Sequence, residues 1–181
     1  METKEKTVRV EKAAKINLTF EIKGLMDNGY HEVKTLMQSV NLLDLVSVNV
    51  KEAPQRAVSI IDFNSTVYGE VPIDDSNLAV KAVHRFLDYI ESKENYRVEI
   101  GIHKNIPVEA GLAGGSADAA AALTAMNEFF EQILDQNQLL EIGSLLGADV
   151  PFCVTGGTCL GTGKGDILER IEPPLKLNLV L

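Results

Sequence analysis

The sequence is poor in the side chains that build metal centres and redox pairs. Its 181 residues hold two cysteines, Cys153 and Cys159, and three scattered histidines, His31, His84 and His103. The cysteines stand six apart, which fits no metal-ligand spacing, so they are expected to be reduced core residues of a cytoplasmic protein. Positive charge is in deficit: 17 Lys and Arg face 26 Asp and Glu, a net charge of −9. A general nucleic-acid binder needs a basic face, so this balance argues against one. It does not argue against small anionic substrates, because a local site on an acidic protein can still be positive. No apolar run reaches membrane-spanning length, and the charged start, METKEKTVRVEKAAK, has no apolar signal core. No internal repeat, low-complexity linker, or Ser/His/Asp or Cys/His arrangement for nucleophilic catalysis stands out.

What is present is the composition of a soluble globular chain with a real core, 45% hydrophobic and 24% charged, of the size of one domain or slightly more. Ala14, Ile16, Leu18, Phe20 and Ile22 alternate as a half-buried strand, with Lys15, Asn17, Thr19 and Glu21 on its other face. Asp27-Asn28-Gly29 reads as a turn. Residues 31–43 fit helix and strand alike, Val46, Val48 and Val50 a strand, and 51–75 a turn-rich stretch. Ser76 is a candidate N-cap for a helix burying Ala79, Val80, Val83, Phe86, Leu87 and Ile90. Val98, Ile100 and Ile102 alternate as a further strand. Ala119, Leu123, Met126, Phe130 and Ile133 predict an amphipathic helix, and a second runs from about Gln138 to Leu146, stopped by Gly147. Pro151–Leu160 and Ile167–Ile171 read as a hairpin, and Leu177–Leu181 as an apolar strand. Interleaved helices and strands with hairpins predict a mixed α+β fold, not a doubly wound parallel sheet.

Between the strand at Val98–Ile102 and the helix that follows lies NIPVEAGLAGGSADAAAA, Asn105 to Ala122. Gly111, Gly114 and Gly115 permit tight turning and close approach of a ligand. The helix start supplies unpaired N–H groups and a positive dipole end, which together suit phosphate. Ser116 can cap the helix or touch a phosphate. The spacing is neither a Walker A loop nor a dinucleotide fingerprint. A flexible turn before an alanine-rich core helix explains the same residues, and Asp118, placed in the first helical turn, would repel a phosphate. On spacing alone both readings stand. Phosphoryl transfer also needs a cation near the moving charge and a carboxylate for the acceptor proton. Lys15 and Asp149 are the candidates, although a solvated strand lysine and a turn aspartate are the ordinary readings of each. Tyr30-His31 could stack on and hydrogen-bond a base, or simply pack.

Four motifs together, Ala14–Leu18 (AKINL), Asp27–His31 (DNGYH), Pro107–Ala120 (PVEAGLAGGSADAA) and Leu146–Phe152 (LGADVPF), resemble the GHMP kinase superfamily, in order and over nearly the whole chain. The resemblance implies an α+β first domain like domain 2 of ribosomal protein S5, here residues 1–173, followed by a second domain whose start would be 174–181. It implies ATP with magnesium as phosphoryl donor. Asp149 matches the catalytic base and Lys15 the lysine that orients it. Pro107, Gly111, Leu112, Ala113, Gly114, Gly115 and Ser116 match the ATP phosphate loop, and Lys104 and Asn77 match positions near the adenine end. Asn17 matches a residue lining the acceptor site. Tyr30 and His31 match a pair that holds cytosine, which implies a small-molecule acceptor, a cytidine diphosphate-linked methylerythritol, phosphorylated on its 2-hydroxyl. The resemblance gives no protein metal ligand. The chain departs from the pattern at Ala110 and Ala113, where glycines are common, and at Ala117, where serine is; Asp118 is an accepted alternative to asparagine. A kinase of the same superfamily acting on homoserine or mevalonate, or a nucleotide-binding module without catalysis, remain alternatives.

Overall fold

The structure, a computed structural model, describes residues 5–27, 29, 31–67, 69–173 and 175–180. It is built on two long antiparallel strands, β1 (Glu5–Leu25) and β2 (His31–Glu52). There follow β3 (Ala57–Ser65), α1 (Leu78–Tyr89), β4 (Tyr96–Lys104), α2 (Gly114–Phe129), α3 (Gln136–Leu146), α4 (Val150–Thr155), β5 (Thr158–Thr162) and β6 (Ile167–Arg170). The sheet runs β3-β4-β2-β5-β6, with β1 also paired to β2. All pairings are antiparallel except β3 with β4, which the crossover through α1 makes parallel.

Residues 31–43, open between helix and strand on periodicity, are strand because β2 is long enough to pair with two different partners. Residues 45–52 face β4 and residues 35–38 face β5. Between the two, residues 39–44 belong to neither ladder. Opposite them the β1 pairing is irregular as well: Ala13 sits across from Leu43, but Lys15 sits across from Ser39. This break in the sheet positions the candidate site.

Val46, Val48 and Val50 lie directly across from Ile102, Ile100 and Val98, and all six are buried. Such cross-strand pairs of branched side chains form a continuous apolar floor. The helices cover this floor: α2 packs on β1 and β2, and α1 and α4 pack on α2. The aromatic rings of Phe86, Tyr96, Phe129 and Phe130 close one end of the core, with centroids 5.0–5.9 Å apart.

Several expectations are corrected. The alternation of Ala14 to Ile22 fails in its second half, where Phe20 and Ile22 are about 60% exposed. Register shifts at Asn17/Thr19 and Ile22/Gly24 interrupt the pleat there, and residues 19–25 are all exposed. The N-cap of α1 is Asn77, not Ser76, whose hydroxyl donates to Asp74 instead. Helix α2 is not amphipathic but buried nearly all round, and it ends before the exposed Ile133. Its alanines let sheet and helices approach it from every side. Residues 151–155, expected in a hairpin, belong to α4, with Pro151 in its first turn, where a missing N–H costs nothing. Residues 175–180 form no strand, and Leu181 lies outside the described residues.

The close packing of α2 leads to a direct expectation. Ala121→Leu should destabilise the fold by about 1–3 kcal/mol, because Ala121 is fully buried between layers. Urea unfolding measures this, and an unchanged midpoint would contradict the tight packing described.

Candidate active site

The loop from β4 to α2 is strained where it turns. Gly111 (φ 74°) and the non-glycine residues Glu109 (56°) and Ala113 (59°) all adopt left-handed backbone. For a residue with a Cβ this costs about 1–2 kcal/mol, so the surroundings must hold the shape. Ala113 precedes α2 without a side-chain cap, and the first intrahelical bond here runs from the Ala117 N–H to the Ala113 carbonyl. The helix therefore supplies no partner for the N–H groups of Gly114, Gly115 and Ser116. Sixteen residues of aligned dipole stand behind them, the arrangement that attracts anions.

The loop shape is held from beneath. Asp44, fully buried at the break in β2, accepts from the backbone N–H groups of Asn105 (2.6 Å) and Ile106 (2.8 Å). The buried Lys104 ammonium donates to Asp44 and to Asp118 of α2, the latter at 2.8 Å. Asp118 therefore lies beyond the first helical turn and bonds Lys104, not the exposed helix end where it was expected. Its Oδ1 is the one buried side-chain oxygen without a hydrogen-bond partner among the described residues. Burial pushes its carboxyl up to about 7; Lys104 opposes this rise and Asp44 adds to it.

A cavity of about 190 Å³ opens beside this triad. Val71, Pro72, Leu78, Pro107 and Val108 give it apolar walls, and Gly114 and Gly115 open it towards the helix start. Asn77 also lines it, but its amide is engaged: Nδ2 donates to the Pro72 carbonyl (2.7 Å) and Oδ1 accepts from the Ala79 N–H (2.8 Å).

On the other side of the loop stand Lys15 and Asp149. The irregular pairing of β1 frees the Lys15 N–H to donate to the Leu112 carbonyl at 3.0 Å, tying the strand to the loop. The Lys15 ammonium is almost wholly buried, donates to Asn17 Oδ1 (2.6 Å) and lies 3.3 Å from Asp149 Oδ1. Asp149 occupies the N-cap position of α4 in helical backbone and makes no capping bond, so its half-exposed carboxylate faces Lys15. Asn17 Nδ2 donates to Thr35 Oγ1 (2.6 Å), which donates to the Thr19 carbonyl (2.8 Å). Behind α4, Lys12 donates to the Val154 carbonyl (3.3 Å), and burial lowers its pKa. The Cys153 thiol is pushed up to about 12, by burial first and Asp149 second.

The structure thus gathers Lys15, Asn17, Asp149 and the loop residues Gly111 to Ser116 in one place. It does not bring His31 to them. His31 opens β2 opposite Leu25, eight residues along the strand from Ser39, the partner of Lys15. At the rise of an extended strand that is about 26 Å of chain. Tyr30 lies outside the described residues. Lys104, matched to a position near the adenine end, lines the cavity with Asn77, and its ammonium is held between two carboxylates. Sequence reasoning missed Asp44 and Thr35. Asp44 left one signal, a lone acid in the apolar run Leu42-Leu43-Asp44-Leu45-Val46, which a strand tolerates only when the charge has partners.

Comparison with known proteins sets the chain beside small-molecule kinases. Residues 77–157 match the family model for the GHMP kinases N terminal domain. The chain is 41% identical over 168 residues to the 4-diphosphocytidyl-2-C-methyl-D-erythritol kinase of Caldicellulosiruptor saccharolyticus, covering 93% of this chain and 55% of that protein. It is 45% identical over 176 residues to the enzyme of the same name from Gloeobacter violaceus, covering 97% and 55%. The chain spans about half the length of the curated relatives it matches. Among solved structures, a 4-(cytidine 5'-diphospho)-2C-methyl-D-erythritol kinase superposes with a TM-score of 0.66 at 30% identity, covering 94% of this chain and 56% of that one. Homoserine kinase from Cytophaga hutchinsonii superposes at 0.61 with 19% identity, covering 94% and 52%, and shares the fold. The mixed α+β fold is that of GHMP kinase N-terminal domains. Among the described residues no helix is long and apolar enough to cross a membrane.

Two expectations follow from the triad. A methyl at Gly114 would lie 2.7 Å from Lys104 Nζ and 3.1 Å from Ile106 Cγ2, and Lys104 is pinned by both carboxylates. Gly114→Ala should cost about 1–3 kcal/mol in urea unfolding; wild-type stability would show that Lys104 is free to move. The second concerns pH. The Asp118 pKa is raised from 3.8 to about 7, so between these values the folded state keeps a proton that the unfolded chain has released. This contribution to stability is whole below pH 3.8 and is lost as pH rises through about 7. Asp118→Asn should shrink the stability difference between pH 5 and pH 8, measured by urea unfolding at both; an unchanged difference would mean that Asp118 stays ionised.

Proposed function

We propose that this chain forms the ATP-binding and catalytic part of a kinase that phosphorylates the 2-hydroxyl of 4-diphosphocytidyl-2-C-methyl-D-erythritol, in non-mevalonate isoprenoid biosynthesis. The observation that carries the proposal is the Lys15–Asp149 pair, 3.3 Å apart and tied to the glycine-rich loop through the Lys15–Leu112 backbone bond. The loop, Pro107 and Gly111 to Ser116, holds the phosphates of ATP on the N–H groups at the start of α2. The cavity between Asn77, Leu78 and Pro107 takes the adenine end, and Lys104 acts there by fixing the loop through Asp44 and Asp118. Magnesium brought with the nucleotide would supply charge neutralisation on the transferring group.

In the reaction the acceptor hydroxyl oxygen forms a bond to the γ-phosphorus, and the bond from that phosphorus to the β–γ bridging oxygen breaks to release ADP. Asp149 takes the hydroxyl proton. Lys15 orients that carboxylate and opposes the negative charge that develops beside it. Asn17 lines the acceptor site, and Tyr30 and His31 hold the cytosine. The names of the relatives at 41–45% identity support this acceptor over homoserine or mevalonate. The net charge of −9 supports a small-molecule substrate over nucleic acid, and two free, buried cysteines support a reducing, cytoplasmic setting.

In purified full-length protein, Asp149→Asn should lower kcat by roughly a hundredfold or more and leave the KM for ATP within a few fold. Steady-state transfer from ATP to the cytidine-linked acceptor reads this directly, and unimpaired turnover in the variant removes Asp149 as the base.

A further inference from the structure

The Lys15–Asn17 pair is held from behind by a residue that neither sequence pattern nor similarity singled out. Thr35 lies on β2 opposite Phe20 of β1 and Gly161 of β5, and it is 1% exposed. Its hydroxyl carries one proton, which goes to the Thr19 carbonyl at 2.8 Å. A carbonyl only accepts, so the direction of this bond is settled. Towards Asn17 the Thr35 oxygen can then only accept, and it does so from Asn17 Nδ2 at 2.6 Å. That turns Asn17 Oδ1 the other way, to the Lys15 ammonium at 2.6 Å, which can only donate. Every donor and acceptor from the β1 backbone to Lys15 is fixed by one hydroxyl.

We propose that Thr35 is a positioning residue of the phosphoryl-transfer site: acting through the Asn17 amide, it holds the Lys15 ammonium to one side of Asp149. The proposal rests on the kinase reading above. Without the Thr35 hydroxyl, Asn17 Nδ2 loses its acceptor and the amide turns towards water. Lys15 then loses its closest neutral partner and is drawn onto the Asp149 carboxylate, the nearest remaining acceptor, which would otherwise take the proton of the acceptor hydroxyl. Gly161 leaves the methyl of Thr35 in place, since a Cβ there would lie 3.2 Å from Thr35 Cγ2. The hydroxyl can therefore be removed while the packing is kept.

The test compares Thr35→Val, which keeps the shape, with Thr35→Ser, which keeps the hydroxyl, in full-length protein. The expected result is a fall in kcat of roughly tenfold to a hundredfold for the valine variant. Its KM for ATP should stay within about twofold, and the serine variant should recover most of kcat. Thermal unfolding of each variant controls for folding, and Thr35→Ala replaces valine if that variant melts early. Equal kcat in wild type and the valine variant, or no recovery with serine, overturns the proposal. A readout independent of turnover separates it from the kinase reading. The side-chain amide signals of Asn17 in nitrogen-15 NMR spectra should shift and sharpen on loss of the Thr35 bond in the valine variant and stay near wild type with serine. If wild type transfers no phosphate while these signals respond as expected, the kinase reading fails and the relay stands. If they do not respond, the relay itself is wrong.

Discussion

The Lys104 ammonium lies between the Asp44 and Asp118 carboxylates with almost no access to water, and three chain segments meet there: β2, the end of β4 and helix α2. Burying three charges costs several kcal/mol each unless they are densely hydrogen-bonded. Asp44 meets that condition, with two backbone N–H groups and the ammonium. Asp118 does not, since its Oδ1 has no partner. Burial above all raises the Asp118 carboxyl to about 7, with Lys104 opposing the rise and Asp44 adding to it. Taking Lys104 away would leave two buried carboxylates facing each other, so the triad fixes the root of the loop and the start of α2 together. The left-handed backbone at Glu109 and Ala113 is held against its own strain by this anchoring.

The place where the triad can exist follows from the length of β2. A strand of 22 residues shared end to end by β4 and β5 leaves a gap at 39–44. Asp44 fills one side of that gap with side-chain bonds to the loop, and Ser39 the other, exchanging hydrogen bonds with Gly157. The same irregularity releases the Lys15 N–H to Leu112. One break in a ladder therefore brings the loop, the Lys15 strand and the chain beyond α4 to a common point. Continuous pairing would have kept them apart.

How much of this was readable beforehand depended on whether a signal was local. The valines of β2 and the alternating β4 residues were readable, because burial on one face imposes a period of two. So was α3 from about Gln138 to its stop at Gly147, although not the capping box at Asp135 that opens it. Alternation put Lys15 and Asn17 on one face, and they are hydrogen-bonded there. Helix α4 was missed because six residues leave no room for a period, and β3 because its exposed Asp62 and Asn64 look like loop. The burial of α2 was misjudged because alanine reads as neutral, while its small size is what lets other layers surround the helix. Asp44 and Thr35 could not be placed, since their partners lie 16 or more residues away in sequence.

Two lysine–carboxylate groupings sit on opposite sides of one loop, and their difference is one of solvent. Lys104 with Asp44 and Asp118 has side-chain exposures of 3% or less, whereas Asp149 beside Lys15 is 37% exposed. A carboxylate sealed from water can hold a backbone in place but exchanges a proton only with its immediate neighbours. One open to a cleft can accept a proton from a bound hydroxyl and return it to solvent. Lys15 is buried although its partner is not, an asymmetry that fits the proposed roles of a fixed cation beside a base. The relay through Asn17 and Thr35 answers the remaining need. A lysine is a flexible side chain, and a single ion pair at 3.3 Å does not fix its direction; a short bond to an amide that is itself held from behind does.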